Sequence, residues 1–135
     1  MAKRFTLGKK ERLKSKKLID QVFLEGKSFA VSPFRIYYLI NDANKKELLQ
    51  FGVGVSSRNF KKAVERNRIK RLTREAYRLQ KNELKDKLTV VNKGLSIFLI
   101  YTGKELPEFD IVKQKVAVAL KKLIILVDEI PVADT

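Results

Sequence analysis

Residues 58–78 read Arg58-Asn59-Phe60-Lys61-Lys62-Ala63-Val64-Glu65-Arg66-Asn67-Arg68-Ile69-Lys70-Arg71-Leu72-Thr73-Arg74-Glu75-Ala76-Tyr77-Arg78. Eleven of these 21 positions carry charge at neutral pH, and nine of the eleven are Lys or Arg. Wound as a helix at about 100° per residue, Ile69, Leu72, Ala76 and Leu79 form one apolar stripe. Asn67, Lys70, Arg71, Arg74 and Arg78 crowd the opposite side, and Arg66 and Arg68 flank that arc. A helix with one buried face and one dense guanidinium face suits a polyanion.

The spacing on either side of this helix sets the rest of the fold. Upstream, Ser15 predicts a cap for a helix over 16–25, where Leu18, Ile19, Val22 and Phe23 recur at helical spacing, and Gly26 ends it. A short strand is expected near 27–32. Phe34 to Ile40 is rich in β-branched and aromatic residues and reads as a strand, and Leu48 to Val55 is expected as the next strand, with Gly52 and Gly54 inside it. The polar run 41–46 between them reads as a turn, so those two strands are expected to pair as a hairpin. The basic helix is expected over about 60–82, extending as far as 88. Leu95 to Tyr101 reads as a buried central strand. Val112, Val116, Ala119, Leu120, Leu123 and Val127 mark a last amphipathic helix. The expected architecture is α+β: one mixed sheet of about four strands with helices packed on it, in the order α-β-β-β-α-β-α. At 135 residues the chain is expected to be a single domain, with a basic arm at 1–15 and a tail at 128–135.

Composition narrows the function. Thirty Lys and Arg stand against 15 Asp and Glu, a formal net charge of +15. Such an excess attracts nucleic acid or an anionic surface at long range. The chain has no His and no Cys, which removes His general bases, thiol nucleophiles, Cys/His zinc sites and disulfides. Glu65 and Glu75 are the first carboxylates to test as a catalytic pair. Each has basic neighbours one helical turn away, so they read as intrahelical ion pairs. No acidic cluster is dense enough for a protein-built metal site. Gly52-x-Gly54 is only a fragment of a phosphate loop. The apolar stripe is narrow, lacks Trp and is needed to cover the sheet, which disfavours a membrane-surface helix. No run of about 18 apolar residues is present, and a cytoplasmic protein without a membrane partner is expected. Phe23 and Tyr37 could line a groove beside the basic helix and stack on unpaired bases, or Phe23 could be plain core.

At this point the residues meet a known pattern. Residues 63–78, A-V-E-R-N-R-I-K-R-L-T-R-E-A-Y-R, resemble the signature of the protein subunit of bacterial ribonuclease P. Phe5-x-Leu7-x-Lys9-x-x-Arg12-Leu13, Val22-Phe23-x-x-Gly26, Phe34-x-Ile36-Tyr37 and Gly52-Val53-Gly54-Val55-Ser56 are similar to that family too, so the likeness runs over about residues 4–125. The resemblance implies an α+β sandwich with a left-handed crossover around the basic helix. It implies that an RNA subunit performs the Mg²⁺-dependent hydrolysis that removes the 5′ leader from precursor tRNA. The protein would support that RNA, touch the leader and lower the Mg²⁺ requirement, with no catalytic residue and no metal ligand of its own. Arg66, Asn67 and Arg68 would face the RNA subunit, and Lys61, Lys62, Lys70, Arg71, Arg74 and Arg78 would extend that surface. Phe23, Ile19, Tyr37 and Arg58 match leader-cleft positions. Ile19 stands where the family often has Phe, and Ser57 where it often has Lys. A monomer in a 1:1 complex with the RNA is the expected assembly. The competing reading is a general ribosome- or RNA-associated module with no processing role.

Overall fold

The computed structural model describes residues 11–42 and 48–129. Expectations for residues 1–10, for the 43–47 part of the turn and for Pro131 and the acidic end lie outside them. In chain order the elements are α1 (Lys16–Glu25), β1 (Lys27–Val31), β2 (Phe34–Asp42), β3 (Leu49–Val55), α2 (Ala63–Gln80), α3 (Asn82–Val91), β4 (Lys93–Tyr101) and α4 (Phe109–Asp128). The strands form one mixed sheet in the order β1-β2-β4-β3.

The hairpin expected between β2 and β3 does not form. β2 pairs instead with β1 and β4, antiparallel to both, while β3 runs parallel to β4. Chain adjacency suggested a hairpin, but β4 is buried along most of its length. A strand of that kind satisfies its backbone and covers both faces best from the middle of a sheet. The parallel β3–β4 pair then needs a long crossover, which α2 and α3 supply.

Side chains alternate across the sheet. Phe34, Ile36 and Tyr38 of β2, Leu95, Ile97 and Leu99 of β4, and Leu49, Phe51 and Val53 of β3 point to one face and are buried. Helix α4 completes that core with Val112, Val116, Ala119, Leu120, Leu123 and Val127, the six positions its spacing predicts. Helices α2 and α3 pack on α4 and on β3 and β4, respectively. The other sheet face receives only α1 among the described helices. That helix is capped as its sequence suggests, with the Ser15 hydroxyl accepting from the Leu18 amide at 3.4 Å. Gly26 ends it for a steric reason: a Cβ there would lie 2.3 Å from the Tyr38 carbonyl oxygen.

Helix α2 is rotated from the stripe read in sequence. Its buried residues are Ile69, Thr73, Ala76 and Tyr77, whereas Leu72 is half-buried and Leu79 is 36 % exposed. The Tyr77 ring stacks on Phe51 of β3, with centroids 3.8 Å apart and planes at 7°. Thr73 enters the core because its hydroxyl donates to the Ile69 carbonyl at 2.8 Å and so loses nothing on burial. The helical run also breaks at Lys81. It resumes as α3 and stops at Asn92, whose left-handed backbone (φ 57°, ψ 46°) lets its N–H reach the Leu88 and Thr89 carbonyls.

Among the described residues the Tyr77 hydroxyl is buried without a hydrogen-bond partner. Burial, and then the nearby Glu11 carboxylate, raise the Tyr77 hydroxyl well above the usual phenol range. Tyr77→Phe is therefore expected to leave urea-denaturation stability unchanged or higher, because an unpaired buried hydroxyl costs about 1–3 kcal/mol. Tyr77→Ala should lose about 3–5 kcal/mol. A loss above about 1 kcal/mol in the Phe variant would mean that the hydroxyl has a partner.

Candidate nucleic-acid interface

The outward face of α2 is where most of the expected cations gather. Asn67, Arg68 and Arg71 are exposed, and Lys70 and Arg74 are half-buried. The ion pairs among the described residues involve Arg78, Lys81, Lys85 and Lys87, and so leave Arg68, Lys70, Arg71 and Arg74 uncompensated. Lys61 and Lys62 are exposed at the start of the helix, and Arg58 is exposed on the loop before it.

Two expected members are committed elsewhere. Arg66 Nη1 donates to the carbonyls of Phe60 and Lys61, both at 2.8 Å, and so caps the chain entering α2. Arg78 forms a two-pronged pair with Glu75, at 2.9 Å from Nε to Oε1 and 2.7 Å from Nη2 to Oε2. That bond holds the Glu75 carboxyl below the usual carboxylate range and raises Arg78. The stabilisation it gives is present at neutral pH and fades as pH falls through the folded carboxyl value. The pairing expected for Glu75 is thus present. Glu65 has no ion-pair partner among the described residues and instead sits in the first turn of α2, where the helix dipole favours a negative charge.

The aromatic cleft lies on the other side of the sheet. Tyr37 of β2 and Phe98 of β4 are paired in register and point away from the core. Phe23 of α1 stands edge-on to both, 4.7 Å from Tyr37 and 5.4 Å from Phe98. It is 39 % exposed, so it is not plain core. Ile19, one turn earlier, is half-buried. The floor beside these rings is glycine: a Cβ on Gly52 would meet the Phe98 ring at 2.7 Å and the Leu13 carbonyl oxygen at 2.9 Å, and one on Gly54 would meet that ring at 3.1 Å. The two glycines let Phe98 lie over β3.

This arrangement corrects the expected groove beside the basic helix. Helix α2 packs on the sheet face that carries Phe51, whereas Gly52 and Phe98 belong to the opposite face. Strand β3 separates the two surfaces. Phe98 was missed because its strand reads as uniformly buried; the signal was the Gly-x-Gly of β3, once β3 is known to lie beside β4.

Among the described residues no group of three or more His, Cys, Asp or Glu could hold a metal ion. The donors that crowd these surfaces are cations, so the Mg²⁺ implied by the resemblance does not fit this chain's described side chains. No described helix is long and apolar enough to cross a membrane.

A two-faced α+β domain, cationic on one side and aromatic on the other, defines a nucleic-acid-binding protein. The sequence profile described as Ribonuclease P matches residues 7–124, and the chain belongs to that family. It is 38 % identical over 119 residues to the ribonuclease P protein component of Porphyromonas gingivalis, covering 88 % of this chain and 87 % of that one. The component from Chlorobium phaeobacteroides is 33 % identical over 125 residues, covering 83 % and 84 %. The solved ribonuclease P protein of Thermotoga maritima superposes with a TM-score of 0.65 at 29 % identity, over 83 % of this chain and 96 % of that one. The protein from Staphylococcus aureus, at 22 % identity and a TM-score of 0.67 over 83 % and 94 %, shares the fold. The chain is thus the RNA-binding component of the endonuclease that matures the 5′ ends of tRNAs.

The glycine floor makes a structural prediction. Gly52→Ala should cost about 1–3 kcal/mol in urea denaturation, because its methyl meets both a ring and a fixed backbone oxygen. Gly54→Ala, which meets only the tip of the ring, should cost clearly less.

Proposed function

We propose that the two surfaces serve two different RNAs. The α2 face, with Arg68, Lys70, Arg71 and Arg74 at its centre and Asn67, Arg78, Lys61 and Lys62 around it, grips the ribonuclease P RNA subunit. Arg66 acts at its edge, its Nη1 already committed to the chain. The cleft of Phe23, Tyr37 and Phe98, with Ile19 on its α1 wall, takes the single-stranded leader of precursor tRNA. Arg58 supplies a cation to the same strand. The observation that carries this reading is the separation of the two surfaces by β3, each with the chemistry of one client. Unpaired guanidinium groups meet phosphates by bidentate hydrogen bonds and release counterions. Exposed ring edges and faces stack on bases with little sequence preference.

The division of labour is the one the family resemblance implies, and the side chains agree with it. No His or Cys is available to move a proton or attack a phosphorus atom, and the bond-breaking centre belongs to the RNA subunit. Mg²⁺ bound by that RNA would supply Lewis-acid and charge-neutralising chemistry there. The protein's cations reduce repulsion between two polyanions, and so reduce the Mg²⁺ needed for docking. The working complex has one protein to one RNA, in the cytoplasm.

Comparing precursor with mature tRNA in the assembled holoenzyme tests the cleft. Phe23→Ala and Phe98→Ala should each weaken precursor binding by about 1–3 kcal/mol, the value of one lost base stack, and leave mature tRNA binding unchanged. Equal losses for both substrates, with the variants still folded, would remove the cleft assignment and favour a general RNA-binding module.

A further inference from the structure

Residues 11–13 run along the outer edge of β3. Leu13 N–H donates to the Phe51 carbonyl at 2.8 Å, and Arg12 bridges Phe51 in parallel register. Successive side chains in such a segment point to opposite sides. Glu11 and Leu13 are buried, and Arg12 between them is exposed. The Glu11 carboxylate meets the buried ammonium of Lys81 at the α2–α3 junction, 2.5 Å away, with Lys85 at 3.9 Å. An ion pair and a backbone hydrogen bond therefore fix the chain on either side of Arg12.

Arg12 so held lines a cavity of about 250 Å³ whose other walls are Arg71, Arg74, Glu75 and Arg78. Both Glu75 oxygens are engaged by Arg78. Arg12, Arg71 and Arg74 have no ion-pair partner among the described residues. Partial burial, and then the Arg12 charge, depress the basicity of Arg74. Three guanidinium groups kept around one concavity repel one another, and an anion with several acceptor oxygens relieves that repulsion. Arg71 and Arg74 also belong to the open α2 face, so the anion that reaches them there is part of a longer polyanion.

We propose that Arg12, Arg71 and Arg74 clamp a single phosphodiester of the RNA subunit, and that the Glu11–Lys81 ion pair is the positioning contact that keeps Arg12 in the clamp. The proposal rests on the reading of the α2 face as the RNA-subunit surface. It adds to that surface a residue from outside the helix and a contact that touches no RNA.

The test is the salt dependence of binding between full-length protein and ribonuclease P RNA. Arg12→Gln should reduce the slope of log K against log [salt] measurably, by at most about 0.7–0.9, one phosphate's share, because Arg71 and Arg74 remain on that phosphate. Lys121→Gln, an exposed cation on α4, should leave it unchanged. Arg12→Gln and Arg74→Gln together should lose less than the sum of the single losses, because both act on one phosphate. The Glu11→Gln/Lys81→Met double variant removes both buried charges. Adding Arg12→Gln to it should cause no further fall in slope, whereas a full further fall would overturn the positioning role. Wild-type slopes in both Arg12→Gln and Arg12→Ala, with wild-type binding intact, would overturn the clamp alone. A wild-type protein that failed to bind the RNA would overturn the surface and the clamp together. Titrating the free protein with inorganic phosphate at fixed ionic strength separates the two sources of anion. Phosphate binding abolished by Arg12→Gln, with the RNA slope unchanged, would assign the site to a free anion and overturn the phosphodiester.

Discussion

The stack of Tyr77 on Phe51 sets the rotation of α2 about its own axis, and the rest of the surface chemistry depends on that rotation. A helix has one degree of freedom that amphipathic patterning fixes only loosely: which residue of the apolar arc faces straight down. A flat ring on a flat ring at 3.8 Å fixes it. Ile69, Thr73 and Ala76 then follow into the core, and Arg68, Lys70, Arg71 and Arg74 are carried to the outside or its margin. Turning the helix by one residue would bury guanidinium groups and expose Tyr77.

The same constraint explains how a net charge of +15 is tolerated. Among the described residues, most cations of α2 have no internal counter-ion. Of the α2 arginines, Arg78 is paired with Glu75 and Arg66 is bound to main-chain carbonyls. Arg68, Arg71 and Arg74 have no ion pair among the described residues. Self-repulsion of this kind weakens the free protein and is relieved on binding, which couples stability to RNA through mass action. The buried Glu11–Lys81 pair is different in kind: it joins residues 70 positions apart and ties the N-terminal segment to the helix junction.

Much of the fold was legible because local signals agreed with the global answer. The Ser15 cap, the six buried positions of α4 and the basic helix itself follow from spacing alone. Strand order did not follow, because pairing between β3 and β4 is set by which strand most needs the centre of the sheet, a competition no single segment displays. Thr73 and Tyr77 were missed because their polarity hides how each is accommodated. Arg12 and Phe98 were missed as site residues for one shared reason. Each acquires its role from a neighbour distant in sequence, the α2 arginines for Arg12 and the β3 glycines for Phe98.

Cleavage of precursor tRNA by reconstituted ribonuclease P RNA at limiting Mg²⁺, with and without this protein, measures the division of labour itself. The wild-type chain should restore cleavage that the RNA alone cannot sustain, a variant with Arg68, Lys70 and Arg71 all changed to Ala should restore little, and neither should cut without RNA. Equal stimulation by the charge-stripped variant, or cleavage by the protein alone, would contradict an α2 face that binds RNA while another molecule breaks the bond.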